Sequence, residues 1–181
     1  MRLSPTEEQQ HEMRHAYYDG APGILVSGIV WLAAAVVGHQ LGTSKGVWTL
    51  LIGGALIHPM GIIVTMAAGR PARTGKNNAL NQLAMASTIW LILCCAMAYG
   101  LSRLRAEFFF PAMMATIGSR YLVFATVFGR AIFWTFGVSL IVAASLAFFS
   151  GLPPDLAAGL GGGVEVVFAF VVFSSASKAA V

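Results

Sequence analysis

Phe108–Phe128, FFFPAMMATIGSRYLVFATVF, is the stretch on which the fold turns, and Arg120 is its only charged residue. About 21 residues at roughly 1.5 Å each reach about 31 Å as a helix, close to the hydrocarbon thickness of a bilayer. Arg120 would then lie about 18 Å from one end and about 12 Å from the other. A guanidinium at that depth needs a partner, a wet cavity or a break in the helix.

The rest of the chain repeats this length. Apolar runs cover about 22–38, 47–69, 83–101, 131–151 and 156–175, each near the length that spans. The 181 residues are 57% hydrophobic and 10% charged. Mean hydropathy is +0.77. Soluble domains average about 25% charged residues, so too few polar side chains exist here to cover a water-exposed globule. The fold class that follows is all-α: an integral membrane bundle of about six transmembrane helices, residues 21–181. A short amphipathic helix within residues 1–20 precedes it. Ser4-Pro5-Thr6-Glu7 reads as its capping box, with Pro5 in the first turn. The first twenty residues lack a basic-then-apolar run, so no signal peptide is expected. A break at Gly118-Ser119-Arg120 is the competing parse, and it makes the span count odd.

With six spans, Arg2, Arg14, Arg70, Arg73, Lys76, Arg130 and Lys178 share one side, against Lys45, Arg103 and Arg105 on the other. The bias places both termini in the cytoplasm and the chain in a cell (inner) membrane. The pI of about 9.4 does not imply nucleic acid, because the cations are dispersed and form no patch. Cys94 and Cys95 are adjacent inside an apolar run. Adjacent helical side chains diverge, so they read as packing residues rather than a disulfide or a redox motif. Gly28, Gly53, Gly54, Gly118 and the run Gly159-Leu160-Gly161-Gly162-Gly163 are the expected sites of close helix approach.

Counting from the ends of their runs, His58, Arg120 and Glu165 fall within about 6 Å of one depth. A charge at mid-membrane costs on the order of 3 kcal/mol, and an opposite charge is the cheapest remedy. An Arg120–Glu165 pair is therefore expected, with His58 nearby and Tyr121 beside Arg120. Pro59 leaves a carbonyl without its helical donor next to His58. Ser87, Thr88, Thr116, Ser119, Thr135 and Ser139 offer hydroxyls. Such a pair fits a substrate or proton site, and it equally fits a device that only fixes helix register.

His11-Glu12-Met13-Arg14-His15 matches HExxH, in which two His bind zinc and the Glu activates water. Here the motif sits in a polar terminal tail, Arg14 lies between the ligands, and no third ligand shares that side. His11, Glu12 and His15 are the weak metal candidates, and no cofactor is implied. At the opposite side His39, Glu107, Asp155, Arg103 and Arg105 form a polar rim, with Arg103 and Glu107 an i,i+4 pair if helical.

Three segments, AYYDGAPGILVSGIVWLAAAVVG, NALNQLAMASTIW and FFFPAMMATIGSRYLVFATVFGR, carry a resemblance. The chain resembles a family of small, uncharacterised bacterial multi-pass membrane proteins, a domain of unknown function. The resemblance implies fold and membrane location and brings no activity.

Three readings stay open. One is a small solute or proton-coupled transporter, since three runs followed by three runs puts the halves in opposite orientation. Another is a structural or accessory membrane protein. Behind both is a membrane-embedded enzyme acting on lipid-linked substrates, with His58 and Glu165 as base and acid; without a nucleophile or metal cluster, non-enzymatic roles rank ahead. Membrane lipid and a second copy of the chain are the expected partners.

Overall fold

The computed structural model describes residues 4–75 and 77–178, with side-chain surroundings through residue 176. Arg2, Lys76 and the Lys178 side chain, all counted in the charge bias, lie outside them. The helices are α1 (Pro5–Tyr17), α2 (Ala21–Leu41), α3 (Thr43–Ala67), α4 (Ala79–Leu104), α5 (Phe109–Phe128), α6 (Ile132–Phe149) and α7 (Pro154–Lys178). Among the described residues six helical segments are long and apolar enough to cross a membrane, and this is a multi-pass membrane protein. α5 runs unbroken through Gly118-Ser119-Arg120, which removes the competing parse.

The capping box forms as expected. The Ser4 amide donates to Glu7 Oε2 at 2.7 Å, and the Glu7 amide donates to Ser4 Oγ at 3.3 Å. α1 ends where Tyr18, Asp19 and Gly20 all take positive φ, at 52°, 53° and 78°. Left-handed conformations cost a non-glycine residue roughly 1 kcal/mol, so tertiary contacts must hold this turn. Tyr18 packs on Phe173 and under the Arg70 guanidinium, and Asp19 is gripped by Arg130.

α1 closes one end of the bundle, called here the α1 end. Its Gln10 side chain donates to the Thr126 carbonyl at 2.8 Å, and Arg14 donates to the Phe128 carbonyl at 2.7 Å. These are last-turn carbonyls of α5, which have no intrahelical donor and carry the negative end of the helix dipole. On its other flank α1 holds the α3–α4 loop. Glu12 accepts from the Gly75 amide and from Asn78 Nδ2, and the Ala72 amide donates to the Ala16 carbonyl. Asn78 in turn caps α4 by accepting from the Leu80 amide at 3.0 Å. Met13 and Ala16 of α1 are buried between these attachments.

Packing follows a pattern the hydropathy does not show. The main pairings are α2 with α3, α2 with α7, α5 with α6 and α4 with α5. Number the spans one to six, α2 to α7. Exchanging the first three for the last three then maps this set onto itself. Each half begins with a close hairpin and lends its third helix to the first helix of the other half. Glycine permits the closest crossings. A Cβ on Gly118 would stand 2.8 Å from the Gly137 carbonyl oxygen, and one on Gly137 would strike the Gly118 oxygen at 2.6 Å. The two backbones therefore touch. Gly28, Gly53, Gly161 and Gly162 also sit in close approach, whereas Gly54 and Gly163 face open space. The outer faces of α3 and α4 are apolar and bare, with Ile63 at 61% and Met97 at 68% exposure. In a bilayer these are the lipid faces.

Candidate functional site

α5 carries the middle of the molecule. Tyr121 is buried on it, and its hydroxyl donates to Glu165 Oε1 on α7 at 3.2 Å. Glu165 is 1% exposed, and its Oε2 has no hydrogen-bond partner among the described residues. Ser27 of α2 is buried beside both groups. The third wall is α2 backbone: a Cβ on Gly28 would lie 2.8 Å from Val166 Cγ2 and 3.3 Å from Glu165 Cβ. Tyr121 stacks on Phe136 at 3.9 Å between centroids, and Phe136 on Phe168 at 4.5 Å. The carboxyl thus sits about 17 Å along α7, in an aromatic and glycine-walled enclosure with two hydroxyl neighbours.

Arg120 points elsewhere. Its Nη2 donates to Thr88 Oγ1 at 2.9 Å and its Nε to Ser87 Oγ at 3.4 Å, both on α4. Its guanidinium lies 4.9 Å from the Phe124 ring centre. The Ser87 and Thr88 hydroxyls donate back to the Ala84 carbonyl at 2.7 and 3.0 Å, so their oxygens are free to accept from the arginine. Ser87 is eight residues into α4 and Arg120 eight residues from the end of α5, about 12 Å for both. The side chain therefore runs sideways, level with its backbone, and does not reach toward an aqueous end.

The expected Arg120–Glu165 pair does not form. Among the described residues the ion pairs are Asp19–Arg130, His39–Asp155 and Arg105–Glu107. Residues 120 and 121 are adjacent on a helix and project about 100° apart. α5 lies between α4 and α7, so Arg120 takes the α4 side and leaves Glu165 to Tyr121. His58 joins neither. It is exposed on α3, off the stripe of Gly46, Leu50, Gly53, Ile57, Gly61 and Thr65 that turns inward. Of the other expected hydroxyls, Thr116 and Ser119 bond carbonyls of their own helix, Ala112 and Ala115, at 2.8 Å each.

The HExxH motif is spent on structure. His11 and His15 are exposed, and Glu12 is held by Gly75 and Asn78. These two contacts keep the Glu12 carboxyl below its ordinary value, the Gly75 amide contributing more. No three His, Cys, Asp or Glu side chains gather for a metal among the described residues. At the far end Glu107 pairs with Arg105, not Arg103, because the chain leaves α4 at Leu104 and the i,i+4 register is lost.

Sequence reasoning missed Ser27 and the Asp19–Arg130 pair. Nothing distinguishes Ser27 from other small polar residues in an apolar run. Asp19 and Arg130 had a signal: opposite charges, each just before an apolar run, assigned to the same end of the bundle.

No curated protein and no solved structure matches the chain. A family model does match, over residues 6–175, a range that takes in α1, the Tyr121–Glu165 contact and the Arg120 cluster alike. The chain belongs to that family, described as a family of unknown function, DUF7010.

Proposed function

We propose that the protein is a small proton-coupled carrier of a bacterial inner membrane, with Glu165 as its proton-binding group and Tyr121 as the partner that positions it. The observation that carries this reading is the Glu165 carboxyl itself, 1% exposed, one oxygen accepting from Tyr121 and the other without a hydrogen-bond partner among the described residues. Burying the ionised form without a counter-charge costs several kcal/mol, and a proton is the cheapest counter-charge at that place. A carboxyl that must be neutral when enclosed and can ionise when opened to water ties a proton to a conformational change. The exchange of third helices between the halves supports the same reading, because rocking one half against the other moves the wall of the enclosure.

Orientation follows the same argument as in the sequence. Arg14, Arg70, Arg73 and Arg130 lie at the α1 end, against Lys45, Arg103 and Arg105 at the other, so the α1 end and both termini face the cytoplasm. Six spans enclose little volume, and the working unit is a pair of copies in lipid.

The test is proton flux in proteoliposomes carrying the purified protein, under imposed pH and voltage gradients. Flux present in the wild type, lost in Glu165→Gln and retained in part by Glu165→Asp is the expected result. Silence under every gradient, or flux that survives Glu165→Gln unchanged, sinks the carrier reading. It then favours an accessory protein whose polar groups only fix packing.

A further inference from the structure

We infer that the Arg120 side chain, where α5 meets Ser87 and Thr88 of α4, is a binding site for a monovalent oxyanion, a carboxylate or a phosphate monoanion, engaged edge-on by the guanidinium. The inference deepens the carrier reading by naming the solute class, and it rests on that reading only for the coupling to a proton, not for the binding itself.

Arg120 is a permanent cation in the middle of a span. Among the described residues it has no acidic partner. Its two neighbours on α4 are neutral hydroxyls, and they neutralise nothing. Their hydrogens are committed to the Ala84 carbonyl, so they act only as acceptors that fix the plane of the guanidinium. Phe124 covers one face of that plane. Nε and Nη2 each donate once, and Nη1 has no partner among the described residues. What stays open is the edge of a planar fork, half-buried, held level and aromatic-backed. That edge matches the two oxygens of a carboxylate or phosphate. An oxyanion there would cancel a charge that is otherwise uncompensated at mid-membrane, where an unpaired ion is unfavourable.

The site also has a mechanical connection. Arg120 and Tyr121 are consecutive residues of α5, and Tyr121 holds the Glu165 carboxyl. Any rotation of α5 that draws the guanidinium toward an anion also displaces the phenol from the proton site. An anion on one side of α5 and a proton on the other would move together as a neutral pair.

The experiment is equilibrium binding to the full chain in phosphatidylcholine nanodiscs, read by thermal stability at constant ionic strength. The probes are sodium acetate, sodium benzoate and inorganic phosphate, against sodium chloride. A saturable rise in Tm with at least one oxyanion and none with chloride is expected. Arg120→Lys keeps the charge and removes the fork, and should weaken binding roughly tenfold or more. Arg120→Gln should abolish it. Should Arg120→Gln fail to fold, Arg120→Lys and Thr88→Val carry the test, since the latter frees the guanidinium from its support and should weaken binding less than Arg120→Lys. Arg103→Gln, at the far end, should bind as wild type. A second arm replaces part of the phosphatidylcholine with phosphatidylglycerol. Stabilisation by that lipid alone, lost in Arg120→Lys, assigns the oxyanion to a lipid headgroup and keeps the site. No saturable effect in either arm, or equal effects in wild type and Arg120→Lys, overturns it. The two readings fail separately: binding without proton flux removes the carrier and leaves the site, while flux without binding removes the site and leaves the carrier.

Discussion

Asp19 and Glu165 are both enclosed carboxyls, 4% and 1% exposed, each with one oxygen lacking a hydrogen-bond partner among the described residues, and they differ in what the other oxygen meets. Asp19 meets the Arg130 guanidinium across the α1 end. Around it, Arg14 and Gln10 occupy the α5 terminus and Glu12 holds the α3–α4 loop. Among the described residues Glu165 meets a phenol and no cation, although Arg120 is only one residue from that phenol. The bundle evidently has the means to pair a buried carboxylate, and it uses them at the end and not in the middle. A charge paired at the rim holds helices together. An ionisable group without a counter-charge at mid-depth adds only a neutral hydrogen bond to that hold, and function is the better account of why it is there.

The largest expected effect breaks the rim. Asp19→Asn or Arg130→Gln strands its partner, and stranding a buried charge costs about 3 kcal/mol, the low end of the usual range because the Arg130 side chain is 23% exposed. Unfolding of the purified protein in detergent reads this as a clear fall in Tm for each single variant. The double variant should stand nearer the wild type than either single. Strict additivity of the two losses would show that the α1 end is not held by this pair.

A smaller effect sharpens the contrast at mid-depth. Tyr121→Phe removes one buried hydrogen bond, worth about 1 kcal/mol. Glu165→Gln keeps shape and loses no ion pair, so it should shift stability by under about 1 kcal/mol. In a double-mutant cycle Tyr121 and Glu165 should couple by about 0.5–1.5 kcal/mol, and Arg120 with Glu165 by less than about 0.5 kcal/mol. Strong coupling in the second cycle would restore the ion pair that the geometry denies.

Six apolar spans were legible because hydropathy is a local property. Direction around the helix was not. Depth placed Arg120 level with its supposed partner, but one residue of rotation handed Glu165 to Tyr121 and Arg120 to Thr88. His58 shows the same gap, with a remedy in the sequence. Gly46, Gly53 and Gly61 recur about every two turns of α3 and mark its inward stripe, and position 58 falls off that stripe. Pro59 frees a carbonyl beside it, but the helix turns neither residue inward. Asp19 and Arg130 were readable from topology alone, since six spans put them at one end with opposite charges. The exchange of third helices was not readable, because the halves share a packing plan without sharing an evident sequence pattern.

The smallest effect tests how α1 holds its loop. Glu12 accepts from the Gly75 amide and Asn78, and these contacts lower its pKa from an ordinary 4.5. A carboxylate whose folded pKa is depressed contributes stability above its unfolded pKa and loses it as pH falls through the folded value. The attachment should therefore be fully present well above pH 4.5 and weaken below it. The contribution is small because Glu12 is near the surface, where solvent screens such contacts. Limited proteolysis within residues 70–78 reports the attachment directly. Wild type should resist cleavage at neutral pH and become more susceptible in acid, whereas Glu12→Gln, which keeps an amide oxygen for Gly75 but no charge, should be more susceptible at neutral pH and change less on acidification. Equal pH responses in the two proteins would mean that the α1 end is held by Asp19, Arg130 and the α5 terminus, with Glu12 contributing nothing measurable.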